Sequence, residues 1–329
     1  MVFAPAPRLT MTIEQRGGAP DIHLHAGGQG VWQVRMVRAL GVPAVLSAVF
    51  GGETGRVVRQ LLHHDGIDIR AVTGESRTGW YVHDRRTGGR IVLAEAPGEP
   101  LTRHEVDELY GLALAEGLRA GVALLGGPGD PPVLRPDVYR RLAADLGNNG
   151  CTVLADLHGE HLAAAAAGGL RLAKVSHEEL LVDGRARTDD LDDLVEAAGA
   201  LRRDGVDTVL VTRAQLPALA LIGEDVCEVV TPRLEVADPS GAGDSMVAAI
   251  AAALVQGHGT VDAIRTGAAA GALNVTRHGL GSGQADPIAQ LREQVYLQPV
   301  RPAGAAAGIG EGPQVRTSPE QLSARVRRP

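Results

Sequence analysis

Short apolar, β-branched runs alternate along most of the chain with longer segments whose apolar residues recur every three to four positions. A strand repeats every two residues and an amphipathic helix every 3.6, so this rhythm predicts successive β-α units around a mostly parallel sheet. Core strands are predicted at 44–50, 122–126, 152–156, 172–175 and 208–212. Helices are predicted at 31–40, 55–64, 103–118, 135–146, 191–203, 241–256 and 261–276, slightly outnumbering the strands. Residues 21–26 and 79–95 break the rhythm and alternate like exposed antiparallel strands, the second with a polar, glycine-containing turn at 85–90. They predict a small sheet beside the main domain, suited to closing over a substrate and excluding water. From Pro299 the chain turns to Pro, Ala, Gly, Ser and Arg without apolar periodicity, which predicts a disordered tail over 299–329.

At 329 residues and 44% hydrophobic, the chain can fill one large α/β domain or two small ones. A formal net charge of -7 with no cluster of Lys and Arg argues against a nucleic-acid partner. No N-terminal basic segment precedes an apolar run, and the longest apolar stretch, around 246–255, is too short for a bilayer. A cytoplasmic protein with no membrane partner is expected. Cys151 and Cys227 lie far apart in strand-like contexts and read as two buried thiols. Aromatic residues are only 2% of the chain, so the core must be Ala, Val and Leu, and Trp32 and Trp80 stand out. Lys174 is the sole lysine.

The segment "ADPSGAGDSMVAAIAAAL" carries the most chemistry. A turn-forming Asp-Pro-Ser-Gly runs into an Ala-rich helix and puts Gly241, Ala242 and Gly243 at its first turn. Unpaired amides and the positive end of the helix dipole make an anion hole there, and small residues let a phosphate approach the backbone. Asp244, just inside the helix, is placed to take a proton from a substrate hydroxyl. The plainer alternative is a helix start capped by Asp238 or Ser240, with Asp244 complementing the dipole. The histidines of "HLH" (His23, His25) and "HGEH" (His158, His161) read as exposed polar residues, because no carboxylate or cysteine cluster completes a metal site. No P-loop, dinucleotide fingerprint or protein-kinase signature is present.

Five blocks occur in order: "HAGGQGVWQV", "FGGETG", "SRTG", "KVSHEEL" and "DPSGAGD". Their order and spacing resemble the ribokinase/PfkB family of carbohydrate kinases. Within it, "PAPRLT" is similar to the N-terminal strand of the 1-phosphofructokinase and tagatose-6-phosphate kinase branch. The resemblance implies a doubly wound, mostly parallel α/β sheet flanked by helices over residues 1–298, with a β-sheet lid formed by about 12–26 and 67–95. It implies an ATP-dependent kinase acting on a sugar or sugar phosphate, with Mg2+, and a homodimer through the lid. Carried over by resemblance, Asp244 is the general base and Gly241, Ala242 and Gly243 the anion hole. Gly27, Gly28 and Gly30 become the sugar-contacting turn, and Arg77 the lid arginine that holds a substrate phosphate by a forked contact. Lys174, Ser176, Thr212, Gly271 and Asn274 fall at the nucleotide, and Glu179 organises magnesium through water.

The departures bear on substrate. Gln29 and Trp32 replace a lysine and an asparagine of the family pattern, Arg8 replaces a sugar-binding aspartate, and Ser176 replaces an asparagine. Ala214 and Pro217 stand at glycine positions of the nucleotide turn, which predicts a reshaped nucleotide site. Three functions are compatible with these residues: a phosphosugar kinase, a nucleoside or other small-molecule kinase of the same fold, and a PfkB-like ligand-binding protein with weak catalysis. The intact GAGD favours an enzyme.

Overall fold

The computed structural model describes residues 1–276 and 283–300. Its main sheet begins with β1 (Val2–Phe3); β2 (Arg8–Arg16) and β3 (Ala19–Gly27) then leave it as a hairpin. β4 (Val45–Gly51) and β5 (Asp68–Gly74) return to the main sheet, whereas β6 (Gly79–Asp84) and β7 (Ile91–Ala96) join β2 and β3. β8 (Val122–Gly126), β9 (Thr152–Asp156), β10 (Leu170–Ser176) and β11 (Val206–Arg213) are central strands, followed by β12 (Leu216–Ile222), β13 (Asp225–Val230) and β14 (Tyr296–Pro299). The ten-stranded order is β14-β13-β12-β11-β10-β9-β8-β1-β4-β5, parallel from β11 to β5 and antiparallel from β11 to β14. The lid is a separate sheet in the order β3-β2-β6-β7.

Helices cover both faces. α1 (Gln29–Ala39) and α2 (Gly52–His64) line one side, and α3 (Arg103–Ala120), α4 (Pro136–Asn148), α5 (Gly159–Gly168), α6 (His177–Val182) and α7 (Leu191–Arg203) the other. α8 (Ala242–Val255), α9 (Thr260–Asn274) and α10 (Ala285–Arg292) complete the first side. Local chemistry sets the boundaries: Thr102 and Glu105 cap α3 reciprocally, and Gly121 ends it in the left-handed region. α8 is apolar nearly all round and correspondingly buried. Its neighbour α9 approaches closely because Gly267 has no side chain; a Cβ there would meet Met246 O at 2.7 Å.

The sequence-based expectations need several corrections. Strands outnumber helices among the described residues, because β12, β13 and β14 form an antiparallel extension that carries no β-α rhythm. Residues 68–74 are the edge strand of the main sheet, and the lid begins at Arg8. Pro299, expected to start the tail, pairs with Cys227 in β14, and Val300 N–H donates to Val226 O at 2.8 Å. Residues 301–329 lie outside the described residues. Cys227 is only half-buried, and His161, expected at the surface, is buried with Nε2 2.8 Å from Leu134 O.

Candidate active site

In a doubly wound sheet, ligands sit beyond the carboxyl ends of the strands. Here Gly126, Asp156 and Lys174 are register partners at the ends of β8, β9 and β10, so they share one face of the sheet. α8 starts over that face. Its N-cap is Gly241 at φ 73, and no side chain caps it. Asp238 instead accepts the Ser240 N–H at 2.9 Å, so neither Asp238 nor Ser240 occupies the first-turn amides. The Ala242 N–H turns back to Pro239 O at 3.4 Å, and among the described residues no acceptor takes the Gly243 amide, which leaves it as the donor an anion site requires.

Lys174 and Asp156 form a buried ion pair of 3.0 Å. The second carboxylate oxygen of Asp156 accepts from Gln33 Nε2 at 3.2 Å, and its backbone oxygen from Gln29 Nε2 at 3.3 Å. Gln29 also accepts from Gly127 N–H at 2.6 Å, so the residue replacing the family lysine braces the strand ends. The Lys174 ammonium lies under α8: a Cβ on Gly243 would come within 2.7 Å of Nζ. Burial pulls the Lys174 pKa down, but the carboxylates of Asp156, Glu179 and Asp244 outweigh it and raise it. Asp244 is pushed up to about 7, first by loss of water and then by the Asp156 carboxylate, with Lys174 and Gln29 pulling the other way. Lys174 is thus fixed within the protein rather than free to extend along a nucleotide. Asp156 and Gln33 were not legible as site residues; the one available signal was an apolar strand that ends on a carboxylate.

Ser176 and Glu179 close a capping box on α6: Glu179 N–H donates to Ser176 Oγ at 3.1 Å and Ser176 N–H to Glu179 Oε2 at 2.7 Å. Thr212 is the register partner of Ser176 at the end of β11. Beyond it Ala214 holds φ 49, the one non-glycine residue in the left-handed region among those described, at a strain of roughly 1–2 kcal/mol. The buried Arg213 braces this turn, donating to Pro217 O at 2.6 Å and to Glu228 at 2.6 Å. The turn carrying Ala214 and Pro217, expected at the nucleotide, is thus a tight hairpin between β11 and β12. Gly271 and Asn274 act from behind. A Cβ on Gly271 would meet Ala242 O at 3.0 Å, and the buried Asn274 donates to Ser240 O at 2.8 Å while accepting from Ser245 Oγ at 3.0 Å.

The lid side holds the other residues. Gly28 at φ 103 is the N-cap of α1, and a Cβ there would lie 3.3 Å from Ala6 O. Gly30 is buried against β1, where a Cβ would come within 2.1 Å of Ala4 Cβ, so close packing already demands glycine. Gly27 pairs with Arg8, whose guanidinium lies 5.3 Å from the Tyr81 ring centroid; Arg90 lies 5.0 Å from the same centroid. Trp32 is half-buried on α1. Arg77 is exposed, 3.8 Å from Glu99, and packs beside Gly52. Its backbone N–H donates to Glu99 Oε2 at 2.8 Å, and the preceding Ser76 is anchored by Glu105, which accepts from Ser76 N–H at 3.0 Å and Ser76 Oγ at 2.6 Å. Gly74 makes room for that carboxylate.

A lidded, doubly wound domain with a bare helix start beside a carboxylate defines a ribokinase-like kinase. Solved structures agree in fold: phosphofructokinase-2 from Escherichia coli in complex with potassium has a TM-score of 0.78 at 24% identity, covering 89% of this chain and 97% of that one. Arabidopsis thaliana ribokinase complexed with ribose and ATP has a TM-score of 0.66 at 20% identity, over 89% and 98%. Among curated proteins, the ATP-dependent 6-phosphofructokinase isozyme 2 of Escherichia coli is 28% identical over 259 residues, 77% of this chain and 82% of its own length. A 1-phosphofructokinase of Haloferax volcanii is 29% identical over 247 residues, 75% and 78%. The model of the pfkB family carbohydrate kinases matches residues 12–287, and the chain belongs to that family of enzymes, which transfer phosphate to an alcohol group.

Proposed function

We propose that this kinase transfers the γ-phosphate of ATP to a hydroxyl of a phosphorylated sugar, with Asp244 as general base. The supporting observation is the placement of Asp244 in the first turn of the uncapped α8, beside the buried Lys174–Asp156 pair. Asp244 takes the proton of the acceptor hydroxyl as its oxygen bonds to the γ-phosphorus. The bond to the β-phosphate oxygen breaks, and that oxygen leaves with the electron pair as ADP. The amides of 241–243 stabilise charge on the phosphoryl group in transit. Among the described residues no three His, Cys, Asp or Glu side chains converge as a metal cage. Magnesium is commonly held by one or two carboxylates together with substrate phosphates, and Glu179, whose Oε2 accepts from Ser176 N–H, is the residue that would take part. When bound, the ion neutralises charge on the ATP phosphates.

A phosphorylated acceptor is favoured by Arg8 and Arg90. Both guanidinium groups lean on Tyr81, and among the described residues neither has a carboxylate partner. Two cations gathered on one ring, with no carboxylate in salt-bridge contact among the described residues, attract an anionic ligand. Arg77, facing Glu99 at 3.8 Å just before β6, is a further exposed cation. The exposed Ile22, Leu24, Ile91, Val92 and Leu93 support a homodimer through the lid, because a sheet with bare apolar residues gains by being covered.

The test is a MgATP turnover screen over fructose 1-phosphate, fructose 6-phosphate, tagatose 6-phosphate, free hexoses and nucleosides. A phosphosugar is expected to give the highest kcat/KM. Arg8→Ala and Arg77→Ala should each raise its KM by about ten- to a hundredfold, as expected for loss of a charged hydrogen bond, and barely affect a free hexose. Highest turnover with a nucleoside, or equal effects on phosphorylated and free sugars, contradicts the phosphosugar reading.

A further inference from the structure

The Lys174–Asp156 pair is held more tightly than a stabilising contact needs. Apolar residues of similar volume do as well as a buried ion pair for stability, so a pair kept in place invites another explanation. Both carboxylate oxygens of Asp156 are engaged, one by Lys174 Nζ at 3.0 Å and one by Gln33 Nε2 at 3.2 Å, and Gln29 fixes its backbone oxygen at 3.3 Å. Gln33 is fully buried and its Oε1 has no partner, so its side chain is kept in place by Asp156. The ammonium is thereby pinned under the backbone of Gly243, where any Cβ would strike it.

We propose that Asp156 is a positioning residue for phosphoryl transfer: it holds the Lys174 ammonium as the positive floor of the 241–243 turn and, by competing for that cation, leaves the Asp244 carboxylate without a counter-charge of its own. A carboxylate with no dedicated cation is the stronger base. The charged groups facing Asp244 are Asp156 from β9 and Lys174 from β10, with Glu179 of α6 acting on Lys174 from beyond; α1 contributes the neutral Gln29. The two carboxylates act on Asp244 oppositely to the lysine, so removing one or the other must displace its titration in opposite directions.

The inference rests on Asp244 as base, yet its test needs no turnover. Protein labelled with ¹³C at the aspartate carboxyls is titrated by NMR without nucleotide, and Asp244→Asn assigns the resonance. Asp156→Asn is expected to move the Asp244 midpoint down by about one pH unit or more, and Lys174→Met to move it up by a similar amount, the scale of a charge a few ångströms away. Asp156→Glu, which keeps the charge, should leave the midpoint within about half a unit of wild type. In turnover assays with MgATP and fructose 6-phosphate or fructose 1-phosphate, Asp156→Asn should lower kcat about ten- to a hundredfold with KM nearly unchanged. Midpoints that stay put, or move the same way in both variants, overturn the proposal, and Lys174→Met alone decides it where Asp156→Asn does not fold. An inactive Asp244→Asn together with an unmoved midpoint removes Asp156 while leaving the base in place; an active Asp244→Asn removes the base itself.

Discussion

Asp244 is under two opposed influences, loss of water and a neighbouring carboxylate pushing its pKa up to about 7, and Lys174 restraining it. The sign of the consequence is definite. A base must be deprotonated, so kcat/KM should fall as pH drops through about 7, and the acidic limb should vanish from any residual activity of Asp244→Asn. The same shift makes the folded state bind a proton more tightly than the unfolded chain. The stabilisation Asp244 contributes is therefore present in acid and lost as pH rises from its ordinary carboxylate range through about 7. Glu105 behaves oppositely: burial pushes its carboxyl up, but hydrogen bonds from Ser76 and Thr102 win and hold it at about 2. Its contribution is present above the ordinary glutamate range and lost as pH falls toward about 2. Asp244 and the glycines before it were legible because a helix start is a local pattern. Asp156 was not, because its meaning lies in register with Lys174, eighteen residues away on the next strand.

At the scale of elements, the segment before α8 is held at the end of α9, where Val275 O accepts from Ala237 N–H at 2.7 Å and Asp238 N–H at 3.1 Å and Asn274 adds its side chain. Asn274 donates to the partly buried Ser240 O and accepts from the buried Ser245 Oγ. Asn274→Ala should cost about 1–3 kcal/mol by leaving buried groups unpaired, seen as a lower Tm, and should reduce kcat by displacing the 241–243 amides. An unchanged kcat with a lowered Tm would confine Asn274 to stability. Amphipathic helices such as α4 and α7 were readable from their stripes, whereas α5, with five consecutive alanines, offers no period to read. The segment carrying Ala214 and Pro217 looked like an altered loop. It is a hairpin between β11 and β12, possible because the Pro217 carbonyl still accepts a bond from Arg213 although its nitrogen cannot donate.

For the whole molecule, alternating strands and helices in the sequence imply the layered α/β architecture without any motif, while the antiparallel extension carries no such alternation and so is not legible there. Removing residues 301–329 should leave Tm and activity nearly unchanged, since that sequence has no apolar periodicity. Cutting before Tyr296 should lower Tm, because β14 pairs with β13 over four register positions. Equal Tm values for the two truncations would show that β14 contributes nothing. The proposed phosphosugar kinase activity with Asp244 as base stands or falls on kcat of Asp244→Asn beside wild type with MgATP and the phosphosugar of highest kcat/KM. A fall of about 10²–10⁴ in kcat with acceptor binding preserved is expected; near-wild-type turnover by Asp244→Asn would rule Asp244 out as the base.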